Sequence, residues 1–263
     1  MSAVRGRGPV TSVVLDRDGT VFDFSRMFLR FVLDLHAVER VPPPPDAEIM
    51  GAAYWDEVVS GRLRVGAVRV RDRVDLAVRD YMSHGALFPG VPEMLVRLSE
   101  AGIRVALVSA WVGTRATLDL LEGYGVGHCV SAVLTRDDLA GLGLGLDDAT
   151  AKGVLARRAL IGAGHRWGER LCVVGDSPAD VALGRGLDAL VVGVRTGNGH
   201  RLPETPPDGP DLFLDSAAEL HEVLTGSRGP AARERSAEEG PVTSSGPRGG
   251  VVIQVDGKRS GRT

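Results

Sequence analysis

The chain has 263 residues, 31 of them basic and 34 acidic, a formal net charge of −3 and a hydrophobic content of 43%. This composition supports a buried core, excludes wholesale disorder and offers no bulk basic field for nucleic acid. No apolar run approaches the roughly 18–20 residues that span a bilayer, and the N-terminus lacks the apolar stretch of a signal peptide, so no membrane partner and a cytoplasmic location are expected.

Short apolar runs alternate with helical stretches along most of the chain. Val10–Leu15 reads as the first strand. Residues 24–87 then break the alternation and read as all helix, with segments at Phe24–Val38, Ala47–Val59 and Val65–Tyr81 and a stiff break at Pro42–Pro45. Such an insert is too long for an ordinary connection and predicts a small cap over the sheet edge where ligands bind in open α/β folds. The alternation resumes with a helix at Pro92–Glu100, a strand at Ile103–Val108, a helix at Thr114–Glu122 and a strand at Cys129–Leu134. A helix at Ala151–Ile161, a strand at Leu171–Val174, a helix at Pro178–Leu183 and a strand at Leu190–Val194 follow. Continuous Val/Leu/Ile runs suit strands buried on both faces, so the expected core is a doubly wound parallel α/β sheet formed by residues 1–23 and 88–226. Cys129 and Cys172 fall in apolar runs and read as buried thiols rather than a bridge. Residues 227–263 are rich in Gly, Ser, Pro and charge and read as a flexible tail, with Val251–Val255 as an optional short strand.

Four elements carry chemistry. Asp16-Arg17-Asp18-Gly19-Thr20 leaves the first strand with two carboxylates two residues apart, a glycine for the sharp turn and a threonine hydroxyl. Ser109 ends the second strand. Lys152 opens a later helix; of the 31 basic residues only Lys152 and Lys258 are lysines, so Lys152 stands out against an arginine background. Gly175-Asp176-Ser177-Pro178-Ala179-Asp180 closes another strand and opens a helix, placing Asp180 one turn beyond Asp176. All four sit at or just after carboxyl ends of parallel strands and therefore converge in one crevice. Clustered carboxylates without His or Cys ask for a hard cation, and Mg²⁺ suits them.

This motif series resembles the haloacid dehalogenase superfamily, in particular its phosphoglycolate-phosphatase-like branch with a helical cap after the first motif. Asp16 to Thr20 match the first motif, Ser109 the second, Lys152 the third and Gly175 to Asp180 the fourth, over about residues 10–225. The third motif departs from many relatives in having Lys152-Gly153 after the glycine-rich Gly141–Gly145. The resemblance implies that Asp16 is the nucleophile and Asp18 the general acid and base, its proton affinity raised by neighbouring carboxylates. It implies Mg²⁺ on Asp16, the Asp18 backbone carbonyl, Asp176 and Asp180, with Ser109, Lys152 and the N–H groups around Thr20 on the phosphate oxygens. The implied substrate is a small phosphorylated metabolite.

Within the superfamily that the chain resembles, a carboxylate at the position of Asp18 implies phosphate chemistry rather than dehalogenation, leaving a phosphatase, a sugar phosphomutase, or a catalytically silent binding or regulatory protein on the same fold. Arg62, Arg64, Arg69, Arg71, Arg73 and Arg79 cluster in the cap and either meet a second anion on the substrate or solvate helix faces. Arg17 is expected to point away from the site, and neither His36 nor His84 is assigned a catalytic part. A homodimer is left open.

Overall fold

The computed structural model describes residues 8–140, 146–166 and 168–226. The 227–263 segment, with Val251–Val255, and the glycine-rich Gly141–Gly145 lie outside the described residues.

Six parallel strands form the core sheet: β1 (Val10–Asp16), β2 (Arg104–Val108), β3 (Ala132–Leu134), β4 (Arg170–Gly175), β5 (Leu190–Val194) and β6 (Leu212–Leu214), in the order β6-β5-β4-β1-β2-β3. β1 lies in the middle, with Leu15 paired to Leu107 on one side and to Val174 on the other. Its alternate residues serve opposite faces. Val13 and Leu15 join Leu95, Leu98, Leu121 and Leu220 in one apolar layer, whereas Val14 joins Leu155, Ala159 and Val173 in the other. Helices α5 (Val91–Glu100), α6 (Thr114–Gly123) and α9 (Leu220–Thr225) thus cover one face, and α7 (Asp148–Gly162) and α8 (Pro178–Gly186) the other. This doubly wound arrangement explains the unbroken apolar runs, since both faces of each strand are buried. The chain leaves β1 toward β2 on one side and reaches β4 on the other, so the crevice lies at the carboxyl ends of β1 and β4.

The insert leaves and re-enters the core through a two-stranded antiparallel stem, Phe22–Asp23 against Ala86–Leu87. It holds α1 (Ser25–Glu39), α2 (Asp46–Ile49), α3 (Ala52–Val59) and α4 (Val74–Tyr81) around its own apolar cluster, which includes Phe28, Phe31, Ile49, Tyr54 and Val58. The insert is not all helix. Where one helix is expected over Val65–Tyr81, a short hairpin pairs Arg64–Val65 with Val68–Arg69, a 3-10 turn spans Val70–Arg73, and the helix begins only at Val74. Gly66, at φ 56°, makes the hairpin turn that a helix cannot contain. The expected Ala47–Val59 helix is likewise broken, at Met50–Gly51. β3 is shorter than its apolar run, because Gly127–Cys129 forms a 3-10 turn. Both cysteines are buried and unbridged. No helix among the described residues is long and apolar enough to cross a membrane.

Candidate active site

Asp16 is the last residue of β1 and Asp176 the first after β4, so adjacent strands deliver both carboxylates to the same edge. Asp180 follows one turn into α8. Its Oδ2 closes a capping box, accepting from the Ser177 N–H at 3.1 Å and the Ser177 hydroxyl at 2.5 Å. Its Oδ1 accepts from Lys152 Nζ at 2.7 Å. Asp180 thus starts the helix and faces the site at once. Asp16, Asp176 and Asp180 each bring a carboxylate oxygen within 4.8 Å of the others, and all three are buried.

Lys152 projects from the first turns of α7, whose N-terminus is capped by Asp147 accepting from the Thr150 N–H at 2.9 Å. Its ammonium lies 2.7 Å from Asp16 Oδ1 and 2.7 Å from Asp180 Oδ1. Burial opposes its charge, but the two carboxylates more than reverse that, so its pKa is raised. One ammonium does not balance three carboxylates. Burial first, then Asp180, pushes the Asp16 carboxyl well above the usual carboxylate range against the pull of Lys152. Burial also pushes Asp176 up to about 7, despite the Asn198 N–H that donates to its Oδ2 at 2.7 Å.

Two glycines make room for Asp176. Gly19 (φ 82°) and Gly197 (φ 58°) approach its carboxylate so closely that a Cβ on either would collide with it. Gly19 belongs to the first motif, whereas Gly197 and Asn198 come from the turn after β5. The Gly197-Asn198-Gly199 series, two residues after the end of a strand, is the sequence signal for this second cradle.

Arg17 does not point away. It is 1% exposed and grips its neighbour: Nε donates to Asp18 Oδ1 at 3.1 Å and Oδ2 at 3.0 Å, and Nη2 donates to Oδ2 at 2.9 Å. Nη1 is anchored on the Val112 carbonyl and the Thr117 hydroxyl, each at 2.9 Å. Burying a guanidinium is costly unless its donors are satisfied, and here Asp18 and the start of α6 satisfy them. Ser109 Oγ donates to Asp18 Oδ2 at 2.8 Å and accepts from the Trp111 N–H. Asp18 is therefore held by a cation and a hydroxyl, and its side chain lies outside the three-carboxylate cluster.

Thr20 is placed differently from expectation. It is fully buried, its N–H is tied to the Arg17 carbonyl, and it does not line the cleft. The N–H of Val21 is also tied to the Arg17 carbonyl and that of Gly19 to the Phe22 carbonyl, so this turn spends those donors on itself.

Asp16, Asp18, Ser109, Lys152 and Asp176 form the floor of a cavity of about 220 Å³ between insert and core. The insert and the post-β2 loop supply apolar walls, including Phe24, Phe28, Trp55, Val74, Val78 and Trp111. None of the six insert arginines singled out above lines it. Arg62 pairs with Glu57, Arg79 with Asp137, Arg64 with the Ala67 carbonyl and Arg71 with the Val59 carbonyl.

Solved structures share this architecture at low identity. A predicted phosphatase from Clostridium acetobutylicum aligns with a TM-score of 0.59 at 17% identity, covering 83% of this chain and 100% of that one. CbbY from Rhodobacter sphaeroides in complex with phosphate aligns with a TM-score of 0.57 at 17% identity, covering 80% and 96%. A predicted phosphoglycolate phosphatase from Haemophilus somnus aligns with a TM-score of 0.57 at 19% identity, covering 83% and 99%. No curated protein sequence matches the chain. Residues 10–188 match the haloacid dehalogenase-like hydrolase family, and the chain belongs to that family.

Proposed function

We propose that this protein is a Mg²⁺-dependent phosphatase that hydrolyses a small phosphorylated metabolite through an aspartyl-phosphate on Asp16. The observation that carries this reading is the buried group of Asp16, Asp176 and Asp180 beside Lys152, with Asp16, Asp176 and Lys152 lining the cavity. The donor set fits a hard divalent cation: every ligand atom is oxygen, and three carboxylates against one ammonium leave two negative charges to be met. Asp16, Asp176 and Asp180 would hold the ion, with the Asp18 backbone carbonyl. When bound, it would screen the nucleophile from the phosphate's charge and steady the phosphoryl oxygens.

The side chains supply the remaining chemistry. A carboxylate oxygen of Asp16 attacks phosphorus as the bond to the leaving alcohol breaks. Asp18, which must take up a proton before this step, gives it to the departing oxygen, then takes one from the water that attacks the aspartyl-phosphate, so orthophosphate and the starting enzyme result. Lys152 orients Asp16 and lends positive charge to the phosphoryl oxygens. Arg17 and Ser109 fix Asp18 at the cavity wall. Phosphate release over a metabolite panel, with and without EDTA, tests the reading; turnover that survives EDTA would count against the cation.

Arg17 acts in this scheme through Asp18, as a positioning residue. Arg17→Met is expected to slow hydrolysis of alkyl phosphates about tenfold or more, because general acid catalysis supplies roughly 10²–10⁴-fold and depends on placement. In kcat/KM, which ends at phosphoryl transfer to Asp16, a nitrophenyl ester, whose leaving group needs no proton, should lose much less. Equal losses on both esters would mean that Arg17 only supports the fold.

Cation binding should depend on pH in a definite direction. Asp176 has its folded pKa raised from 3.8 to about 7, so the folded chain keeps a proton that the unfolded chain releases. The stability from this group is present below about pH 4 and is lost as pH rises through about 7. A bound cation replaces that proton, so Mg²⁺ should stabilise the protein more at pH 8 than at pH 5. At a hundredfold excess over Kd the gain is ~2.7 kcal/mol, roughly 5–10 °C in Tm at pH 8. Thermal melts at the two pH values check this, and equal Mg²⁺ shifts would refute it.

A further inference from the structure

The walls of the cavity carry a second message, which rests on the phosphatase reading and concerns the part of the substrate that is not phosphate. Trp55 on α3 and Trp111 on the loop after β2 stack across the cleft, ring centroids 5.7 Å apart and 26° from parallel. Phe24 lies 5.3 Å from Trp55, and Phe28 meets it edge-on at 5.1 Å. Val74 and Val78 of α4 add aliphatic surface. Among the described residues lining the cavity, the sole cation is Lys152, which two carboxylates already flank. Of the other polar side chains at its edge, Asp148 pairs with Arg136 at 2.6 Å and Ser177 bonds Asp180, while Asn198 adds an uncharged amide.

A leaving group with a second phosphate or a carboxylate would therefore bury its charge against aromatic and aliphatic walls, a cost that no lining cation offsets. A flat apolar body instead gains from burial and from offset or edge contacts with the rings. We propose that the substrate is a phosphate monoester of an alcohol bearing an aromatic or comparably flat, uncharged body, and that esters carrying a second anionic group are poor substrates. The balance is ordinary hydrolysis: the alcohol departs with the proton from Asp18, and water returns the phosphoryl group as orthophosphate.

The test compares benzyl phosphate with ethyl phosphate and phosphoglycolate, all in Mg²⁺. All three release unactivated alcohols, so differences report recognition more than leaving-group strength. Benzyl phosphate is expected to exceed ethyl phosphate about 30-fold in kcat/KM, chiefly through KM, and to exceed phosphoglycolate by at least about tenfold. Trp55→Ala should shrink the benzyl-to-ethyl ratio to about five or less. Binding to the Asp16→Asn protein, followed by tryptophan fluorescence, gives the same ranking without turnover and serves if Trp55→Ala does not fold. Equal handling of benzyl and ethyl phosphate, or a preference for phosphoglycolate, would overturn the inference while leaving a phosphatase. If no ester were hydrolysed although Asp16→Asn still bound benzyl phosphate best, the phosphatase reading would fail and the pocket assignment would stand.

Discussion

Asp16→Asn is expected to lower phosphate release about 10⁴-fold or more while leaving the fold intact. The amide keeps the shape of the carboxylate but cannot attack phosphorus, and removal of a nucleophile is among the costliest losses in covalent catalysis. The same substitution should act on stability in the opposite direction. The raised pKa of Asp16 means that its ionised form is held in the fold at a cost, through burial first and through Asp180 next. That cost grows as pH rises, because a group whose folded pKa is raised loses stabilising influence through its titration. An asparagine does not titrate, so in metal-free buffer the melting temperature of the variant should rise relative to the wild type as pH increases. Calorimetry beside a phosphate-release assay reads both effects. A variant that is both slow and less stable at high pH would point to misfolding.

Lys152→Gln is expected to carry the second-largest effect, and on both fronts. Its ammonium is shared between Asp16 and Asp180 at 2.7 Å each, in a buried site. Removing one partner of a buried ion pair strands the other charges, a loss of ~3–5 kcal/mol. Mg²⁺ should recover part of that stability, since it meets the same carboxylates. It should not recover the rate, because a preorganised positive donor is worth roughly 10²–10³-fold. Lys152→Arg is the sharper case. A guanidinium is broader than an ammonium and its planar fork does not fit between two single oxygens, so at least about a hundredfold loss is expected. Near-normal turnover of Lys152→Arg would mean that the lysine is an accident of composition.

The sheet was legible because its signal is strong: five Val/Leu/Ile runs map onto strands, and the carboxylates that end β1 and follow β4 meet where open α/β sheets place ligands. The insert was less legible. Val70, Val74, Ala77, Val78 and Tyr81 have helical spacing, yet Val70 is buried from a 3-10 turn and Gly66 reverses the chain before it. Periodicity reports which residues are buried, and only weakly where a helix starts. Arg17 was misplaced for a related reason. Alternation past the end of a strand sends the residue between two inward carboxylates outward, but the strand has ended at Asp16 and the chain is turning. The turn brings Arg17 under α6, onto Thr117 and the Val112 carbonyl. The Trp55–Trp111 stack joins residues far apart in sequence and on different layers, so no local pattern announced it.

The central claim is that phosphate passes through a covalent bond to Asp16. Rapid acid quench of the enzyme after mixing with Mg²⁺ and a ³²P-labelled phosphate ester tests it most directly. Protein-bound label is expected that is released by hydroxylamine, as an acyl phosphate is, and that is missing from Asp16→Asn. Steady phosphate release with no labelled protein at any quench time, or label that persists on Asp16→Asn, would contradict it.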